Sequence, residues 1–249
     1  MATIAVSTCA FADLSLPTAL ERIAGLAGAV EVRCKGKHGI DTVSQNRAVA
    51  ASGLRTSVHA PEGIAIWSAD EGRRKAAIVA HRRLIEACVA AGAELYVVHP
   101  DYSERPIVQR GETRAALRKS FTALRELGDA CQMRVAVENM PGLRSSHFVS
   151  PDVDFCGLGL ALDVGHAQIS GTLDAFLQEE IAHLHLHDNR GYGDADRHLP
   201  VGHGLLTPLL VGRIRGSCAG LCVLEHANEA QVRESLAFLD ELEPKRNAA

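Results

Sequence analysis

Aromatic side chains are scarce in this chain of 249 residues: one tryptophan, three tyrosines and six phenylalanines make up 4% of it. The formal net charge is -4, whereas proteins that grip nucleic acid normally offer a basic surface with side chains that wedge or stack. Nucleic acid is therefore an unexpected partner, and so is an anionic membrane. No apolar run approaches the roughly 18 residues of a membrane span. The opening MATIAVSTCAF lacks the basic start and cleavage site of a secretory leader, and a cytoplasmic location is expected. Seven cysteines (Cys9, Cys34, Cys88, Cys131, Cys156, Cys218 and Cys222) form an odd set without CxxC spacing, which fits reduced core thiols better than a disulfide framework. Rossmann GxGxxG, Walker A, GxSxG and zinc-ribbon patterns are missing, as are repeats. The polar tail EPKRNAA reads as a frayed end.

What the chain does have is 47% hydrophobic residues, enough for a large core at a length where α/β barrels commonly form one domain. Residues 1–249 are read as that one domain. Eight runs rich in Val, Ile, Leu and Ala read as strands buried on both faces: residues 3–7, 29–33, 54–58, 94–98, 134–137, 159–162, 181–186 and 220–224. Helical patterns cover 16–27, 42–51, 71–91, 112–131, 172–178, 207–215 and 230–242. The third carries start and stop signals, with Ser68 as a cap and Gly92 as the stop. Between the fifth and sixth strands, SSHFVSPDVDFCG has room only for a short turn or helix after Ser150. Strand alternating with helix implies parallel pairing with right-handed crossovers, hence a closed (β/α)8 barrel or an open doubly wound sheet.

The strand ends decide between the two. His59 follows LRTSV, His99 follows AELYVV, Glu138 follows RVAV, Asp163 follows GLGLAL, His185 lies in IAHLHLHD and Glu225 follows GLCVL. An open sheet gathers ligands at one switch point, whereas a closed ring brings six consecutive strand ends to one mouth. Carboxylate oxygen mixed with imidazole nitrogen is what hard and borderline divalent metals take.

Each motif also has a plainer reading. Asp163 and His166 in LALDVGHAQ stand three apart, with Gly165 expected to let the backbone turn; an isolated Asp there is as readily a helix cap. Glu138 in VAVENMPG is costly to bury unless paired, protonated or metal-bound, and a salt bridge is its ordinary explanation. His183, His185 and His187 alternate and so share a face. His185 is taken as the ligand, His183 as a satisfied core histidine and His187 as a substrate or loop contact, with Asp188 expected to orient an imidazole. Asp196 and His198 stand two apart in a loop that is otherwise a solvated polar stretch. Glu225 repeats the Glu138 argument, and His226 beside it points the other way. Trp67 and Tyr192 are candidate walls or simple packing, and Cys9 and Glu31 line the mouth or seal it.

Taken together, VHAP, VVHP, VAVENMPG, LALDVGHA, HLHLHDNRG, DRHLPVGHG and VLEH resemble the xylose isomerase-like barrel superfamily, most specifically from the third strand to the eighth. The resemblance implies a single (β/α)8 TIM barrel with its divalent metal site at the C-terminal mouth. In the isomerase and epimerase branch one Mn, Co or Mg ion is held by a quartet that here matches Glu138, Asp163, His185 and Glu225. In the endonuclease IV branch three Zn ions use a larger set, matched by His59, His99, Glu138, Asp163, His166, His185, Asp196, His198 and Glu225. Two positions depart from the family: its usual GEG reads Gly202-His203-Gly204, and the sugar-contacting Asn-Arg pair appears as Asn189 and Arg190, one residue too close to His185.

Three functions follow from the resemblance. In the first, a metal-dependent isomerase or epimerase acts on a small sugar, sugar phosphate or related polyol carbonyl compound through an enediolate, with Glu138 and Glu225 as base and acid and His166, His187 and Arg190 contacting substrate. In the second, zinc-dependent phosphodiester cleavage uses all nine positions. The third is a metal-binding barrel without turnover. Fold alone does not choose among them, although the lack of DNA-binding equipment favours the first. Barrels of this size often pair, so a homodimer is in view.

Overall fold

The computed structural model describes residues 1–100, 110–142 and 148–242. The polar tail and the start of the segment between the fifth and sixth strands lie outside these residues. The eight strands are β1 (Thr3–Ser7), β2 (Ala29–Arg33), β3 (Arg55–His59), β4 (Leu95–Val98), β5 (Arg134–Glu138), β6 (Gly159–Asp163), β7 (Ile181–Leu186) and β8 (Leu221–Leu224). Each pairs in parallel with the next, and β8 closes on β1. The open sheet is thereby excluded. Among the described residues the helices are α1 (Leu16–Ala24), α2 (Val43–Ala51), α3 (Glu71–Ala90), α4 (Arg110–Cys131), α5 (Val164–Ser170), α6 (Leu173–Phe176), α7 (Pro208–Gly216) and α8 (Glu229–Leu242), with a short 3-10 turn at Thr8–Phe11. No described helix is long and apolar enough to cross a membrane.

Local chemistry explains most helix ends. Ser15, Thr42 and Thr207 each accept the N–H three residues on, and Pro17 and Pro208 stand in the first turns of α1 and α7, where an N–H has no helical partner anyway. The cap of α3 is Asp70, which accepts from Arg73 N at 2.7 Å, and not Ser68; a carboxylate also complements the positive end of the helix. Gly92 ends the turn after α3 with φ +72°. After Ser150 the described chain makes bends and a turn at Cys156–Gly157, without a helix. Helix α5, absent from the sequence pattern because it is only seven residues long, begins directly at the strand end that carries Asp163.

Two-residue alternation divides the strands between two environments. Val6, Val30, Val58, Val137, Leu162, Leu184 and Leu224 belong to the large apolar layer beneath the helices, while Ala5, Ala29, Val97, Ala136, Ala161 and Val223 fill the interior in two smaller clusters. The inward positions nearest the C-terminal ends are Glu31, Arg33, Ser57, His59, Glu138, Asp163, His185 and Glu225. Contact between Glu31 on β2 and His183 and His185 on β7 can only run through the barrel interior, since those strands are not neighbours.

Strand β7 reaches this arrangement through a bulge. Ile181 pairs with Leu160 and packs in the helix layer, so strict alternation would send His183, His185 and His187 outward as well. One extra residue shifts the register, Ala161 pairing with His183, and all three histidines turn inward. Ala182 is the extra residue. Glycines on both neighbouring strands make room for it: a Cβ at Gly159 would lie 2.9 Å from the Ala182 methyl, and one at Gly220 would strike the Ala182 carbonyl oxygen. Replacing Gly220 by Ala is expected to cost about 1–3 kcal/mol, the usual penalty of overpacking. Urea denaturation monitored by circular dichroism measures it, and an unchanged midpoint would mean that the bulge does not need this space.

Candidate metal centre

The acidic and imidazole side chains converge in three adjoining groups at the C-terminal mouth. In the first, His59 Nε2 and His99 Nε2 lie 2.9 and 2.8 Å from Glu138 Oε2, and 3.1 Å from each other. In the second, His185 Nδ1 is 3.3 Å from the other Glu138 oxygen and 3.9 Å from Asp163 Oδ2. Asp163, His185 and Glu225 also bring donor atoms within 4.8 Å of one another. In the third, Asp196 Oδ2 lies 3.2 Å from His166 Nε2 and 3.1 Å from His198 Nε2. Glu138 is shared by the first two groups, and His187 links the second to the third: its Nε2 donates to Asp163 at 3.1 Å, and its ring stacks on His198 at 3.9 Å.

Hydrogen bonds from behind aim these rings. The Nδ1–H of His59 donates to the Ala60 carbonyl (2.8 Å), that of His166 to the Asn139 carbonyl (2.9 Å) and that of His198 to the Glu225 carbonyl (2.8 Å). A carbonyl can only accept, so each Nε2 is left to face the centre. Asp163 is both cap and candidate ligand: Oδ1 accepts the His166 N–H at 2.7 Å as the N-cap of α5, while Oδ2 turns toward His185. Gly165 lies within α5, and its service is spatial, because a Cβ there would overlap the His187 ring. Asn139 holds the Asp163 backbone at both ends, donating to its carbonyl (3.0 Å) and accepting its N–H (2.7 Å).

Several expectations are corrected. Asp188 orients no imidazole; its carboxylate accepts the backbone N–H groups of Asn189, Gly202, Gly204, Leu205 and Leu206 and the Gln168 amide. It thereby folds the loop that carries Asp196 and His198. His203, exposed and 3.6 Å from Glu234 on α8, faces away from the centre and does not replace the family glutamate. Arg190 is exposed, with its N–H on Asp194, and is not brought to the metal ligands. Tyr192 is 85% exposed and Trp67 packs against the apolar core, so neither walls the centre. His183 is the satisfied core histidine expected, donating to Glu31 at 2.8 Å. His226 points away from the centre to Ser235 on α8 (2.8 Å).

Sequence reasoning passed over Arg33, the last residue of β2. Its guanidinium reaches Glu225 Oε1 at 2.6 Å and Glu62 Oε1 at 2.9 Å. The available signal was its odd position, two after Glu31 on the same inward face. Arg33, Lys35, Arg197, His198, Glu225 and Cys9 border a cleft of about 450 Å³ that opens beside Glu225.

Burial and charge set the protonation of the metal-free centre. Burial pushes the Glu225 carboxyl up, but Arg33 and then His185 outweigh it and hold it at about 2. Glu138 is likewise driven well below the usual carboxylate range by His99 and His185, against its burial. Burial would lower His166 and His198, yet Asp163 with Asp196 lifts the first to about 10 and Asp196 with Glu225 the second to about 9. Glu31, Glu138 and Glu225 raise His185 in the same way. Burial followed by Arg33 lowers His59. With its only proton on the Ala60 carbonyl, neutral His59 turns a lone pair toward a Glu138 oxygen. Such an electron-rich contact is costly in a dry interior and is relieved by a cation. These donor sets, nitrogen and carboxylate oxygen only, fit Mn, Co, Mg or Zn.

A barrel with this ring of donors at its mouth defines a class, and the comparisons give it a family. The chain belongs to the xylose isomerase-like TIM barrel family, which it matches over residues 29–242. It is 29% identical over 213 residues to an uncharacterized protein of Methanocaldococcus jannaschii, covering 81% of this chain and 82% of that one. Among solved structures it is similar to a D-tagatose 3-epimerase-like protein, at 25% identity, TM-score 0.84 and 96% coverage of each chain. Its fold is also that of a 3-keto-D-glucoside 4-epimerase from E. coli, at 17% identity and TM-score 0.76, covering 97% of this chain and 99% of that one.

Two measurements test this centre. Removing the Arg33 charge strands a buried carboxylate, so Arg33→Gln should destabilise the metal-free protein by about 3 kcal/mol and the metal-loaded protein by less; equal losses in urea titrations of both forms would contradict the pairing. His166 and His198 have folded values raised above the unfolded 6.5, so their stabilisation is complete below pH 6.5 and is lost as pH climbs toward 9 and 10. Chelator-treated protein should therefore lose melting temperature from pH 6.5 to 9. A flat or rising profile there would count against these imidazoliums.

Proposed function

We propose that this protein is a divalent-metal-dependent isomerase or epimerase of a small polyhydroxy carbonyl compound. The observation that carries the reading is the meeting of two carboxylates, Glu138 from β5 and Glu225 from β8, on one histidine-centred cluster beside a cleft of sugar size. The D-tagatose 3-epimerase-like protein, which is similar over 96% of each chain, supports it. A metal ion held by Glu138, Asp163, His185 and Glu225 would supply Lewis acidity to vicinal substrate oxygens and so acidify the carbon between them.

The remaining work falls to the chain. Glu225 is ionised and pinned through Oε1 by Arg33, which leaves Oε2 to take or return a proton at the substrate carbon. Glu138 approaches from the strand on the far side of β6 and β7 and serves as its partner, so that one carboxylate removes a proton and the other delivers one. His166 and His187 stand beside this pair, aimed by Asn139 and Asp163, and position hydroxyl groups. The cleft beside Glu225, bordered by Arg33, Lys35, Arg197 and His198, has room for a small polar molecule whose binding would displace water from the carboxylate.

One observation favours a second reading. The three adjoining groups, with Glu138 shared, form the donor pattern expected for three zinc ions and phosphodiester hydrolysis, and all nine positions are filled.

A panel of ketoses and ketose phosphates incubated in D2O with Mn-, Co- or Zn-loaded protein discriminates the readings. Deuterium should enter at one carbon next to a carbonyl, and Glu225→Gln should slow that exchange about 10²- to 10⁴-fold, the usual contribution of a general acid or base. Three zinc per chain in protein purified without added metal, together with cleavage of an abasic oligonucleotide and no exchange, would replace the first reading by the second. Exchange by neither variant nor parent, with ligand binding retained, would leave a metal-binding barrel.

A further inference from the structure

His185 is held differently from the other histidines of the centre. His59, His166 and His198 are aimed by neutral backbone carbonyls and present Nε2. His185 is reversed: Nε2 lies 3.0 Å from Glu31 Oε1, and Nδ1 faces Glu138 and Asp163. Glu31 sits on β2, across the barrel from β7, and is fully buried. Its second oxygen accepts from Ser57 Oγ at 3.0 Å and His183 Nε2 at 2.8 Å. An ionised carboxylate in a dry interior is expensive unless it is saturated with donors, and Glu31 has three groups arranged around it. The bulge at Ala182 is what brings His183 and His185 to it together.

We propose that Glu31 is the positioning residue that selects Nδ1 of His185 as the metal-facing nitrogen and makes that imidazole the strongest neutral donor of the centre, with His183 and Ser57 fixing Glu31. A carboxylate behind an imidazole does more than a carbonyl, because its negative charge raises the basicity of the opposite nitrogen as well as orienting the ring. Glu31 does not bind the metal in this arrangement. Its Oε2 is hydrogen-bonded to His183 and Ser57, while Oε1 lies 3.0 Å from His185 Nε2 as an ion-pair contact without hydrogen-bond alignment, one layer beneath the quartet.

The proposal rests on the metal-binding quartet, so the test begins with the parent protein. Calorimetric titration of chelator-treated protein with MnCl2 and ZnCl2 should show binding; if the parent binds neither, the quartet reading itself fails. Given binding, Glu31→Gln should weaken it about 10- to 100-fold, the range for groups behind a ligand, with the number of ions bound at saturation unchanged. In the zinc-loaded parent, 15N-labelled histidine spectra should show His185 protonated at Nε2 and bound through Nδ1, and Glu31→Gln should shift both nitrogen resonances. Should Glu31→Gln fail to fold, the paired change Glu31→Leu with His183→Leu removes the charge and its partner together, which buried pairs tolerate; the same affinity loss is expected. Unchanged affinity and an unchanged His185 signal would overturn the proposal. So would the loss of a whole metal equivalent, which would make Glu31 a ligand.

Discussion

Charge neutrality inside a narrow cylinder governs this molecule. Eight strands direct every second side chain into one shared interior, and near the mouth those side chains include Glu31, Glu138, Asp163 and Glu225, all buried. Bare carboxylates at such density would not survive in a medium that screens charge poorly. The structure answers with imidazoles and a single guanidinium: Arg33 against Glu225, His99 against Glu138, His183 and His185 against Glu31, His187 against Asp163. A divalent cation at the proposed centre would take over part of this balance from the protons held by His166, His185 and His198.

The lower interior has the opposite character. Small apolar residues, Ala5, Ala29, Ala136 and Ala161, fill it, leaving the polar shell a firm apolar floor. Rigid support of this kind lets nine donors hold positions a few ångströms apart although they arise from the ends of six strands, one short helix and one loop. Where the floor and the shell meet, Glu31 belongs to both: it is part of the packed barrel by position and part of the centre by chemistry.

The ring of donors was legible because its cause is periodic. His59, Glu138 and Asp163 end apolar runs, and parallel strands place their ends at one rim, so chain order alone predicted proximity. His166, Asp196 and His198, which end no strand, entered through the family resemblance, whereas the barrel and the meeting of the six strand-end residues at one mouth followed from that rule. Residues whose roles depend on contacts across the fold did not. Arg33 looks like an ordinary strand-end cation until β8 closes beside β1 and brings Glu225 within reach. Asp188 stands next to three histidines, yet its hydrogen bonds run to amides 14 to 18 residues later, a distance at which no periodic pattern operates. Helix α5 is too short to show a hydrophobic repeat, and Gly165 suggested a turn where the need was for an absent methyl group. The bulge at Ala182 was hidden because three alternating histidines already looked regular.

The Asp188 loop has one more consequence. Asp188 and Leu199 exchange backbone hydrogen bonds at 2.9 Å, and the Asp188 carboxylate gathers the amides from Gly202 to Leu206, so the chain between them is tied at a neck. His198 belongs to the neck, and beyond it the stretch from Arg190 to Ala195 exposes Arg190, Tyr192 and Ala195 while the Gly193 N–H on the Ile169 carbonyl and Asp194 on Arg197 tie it down. Among the described residues, the exposed side chains of that stretch touch none of the ring's donors. The stretch is the place where a barrel of this kind could acquire a new preference for what binds at its mouth while the neck keeps the ring of donors in position.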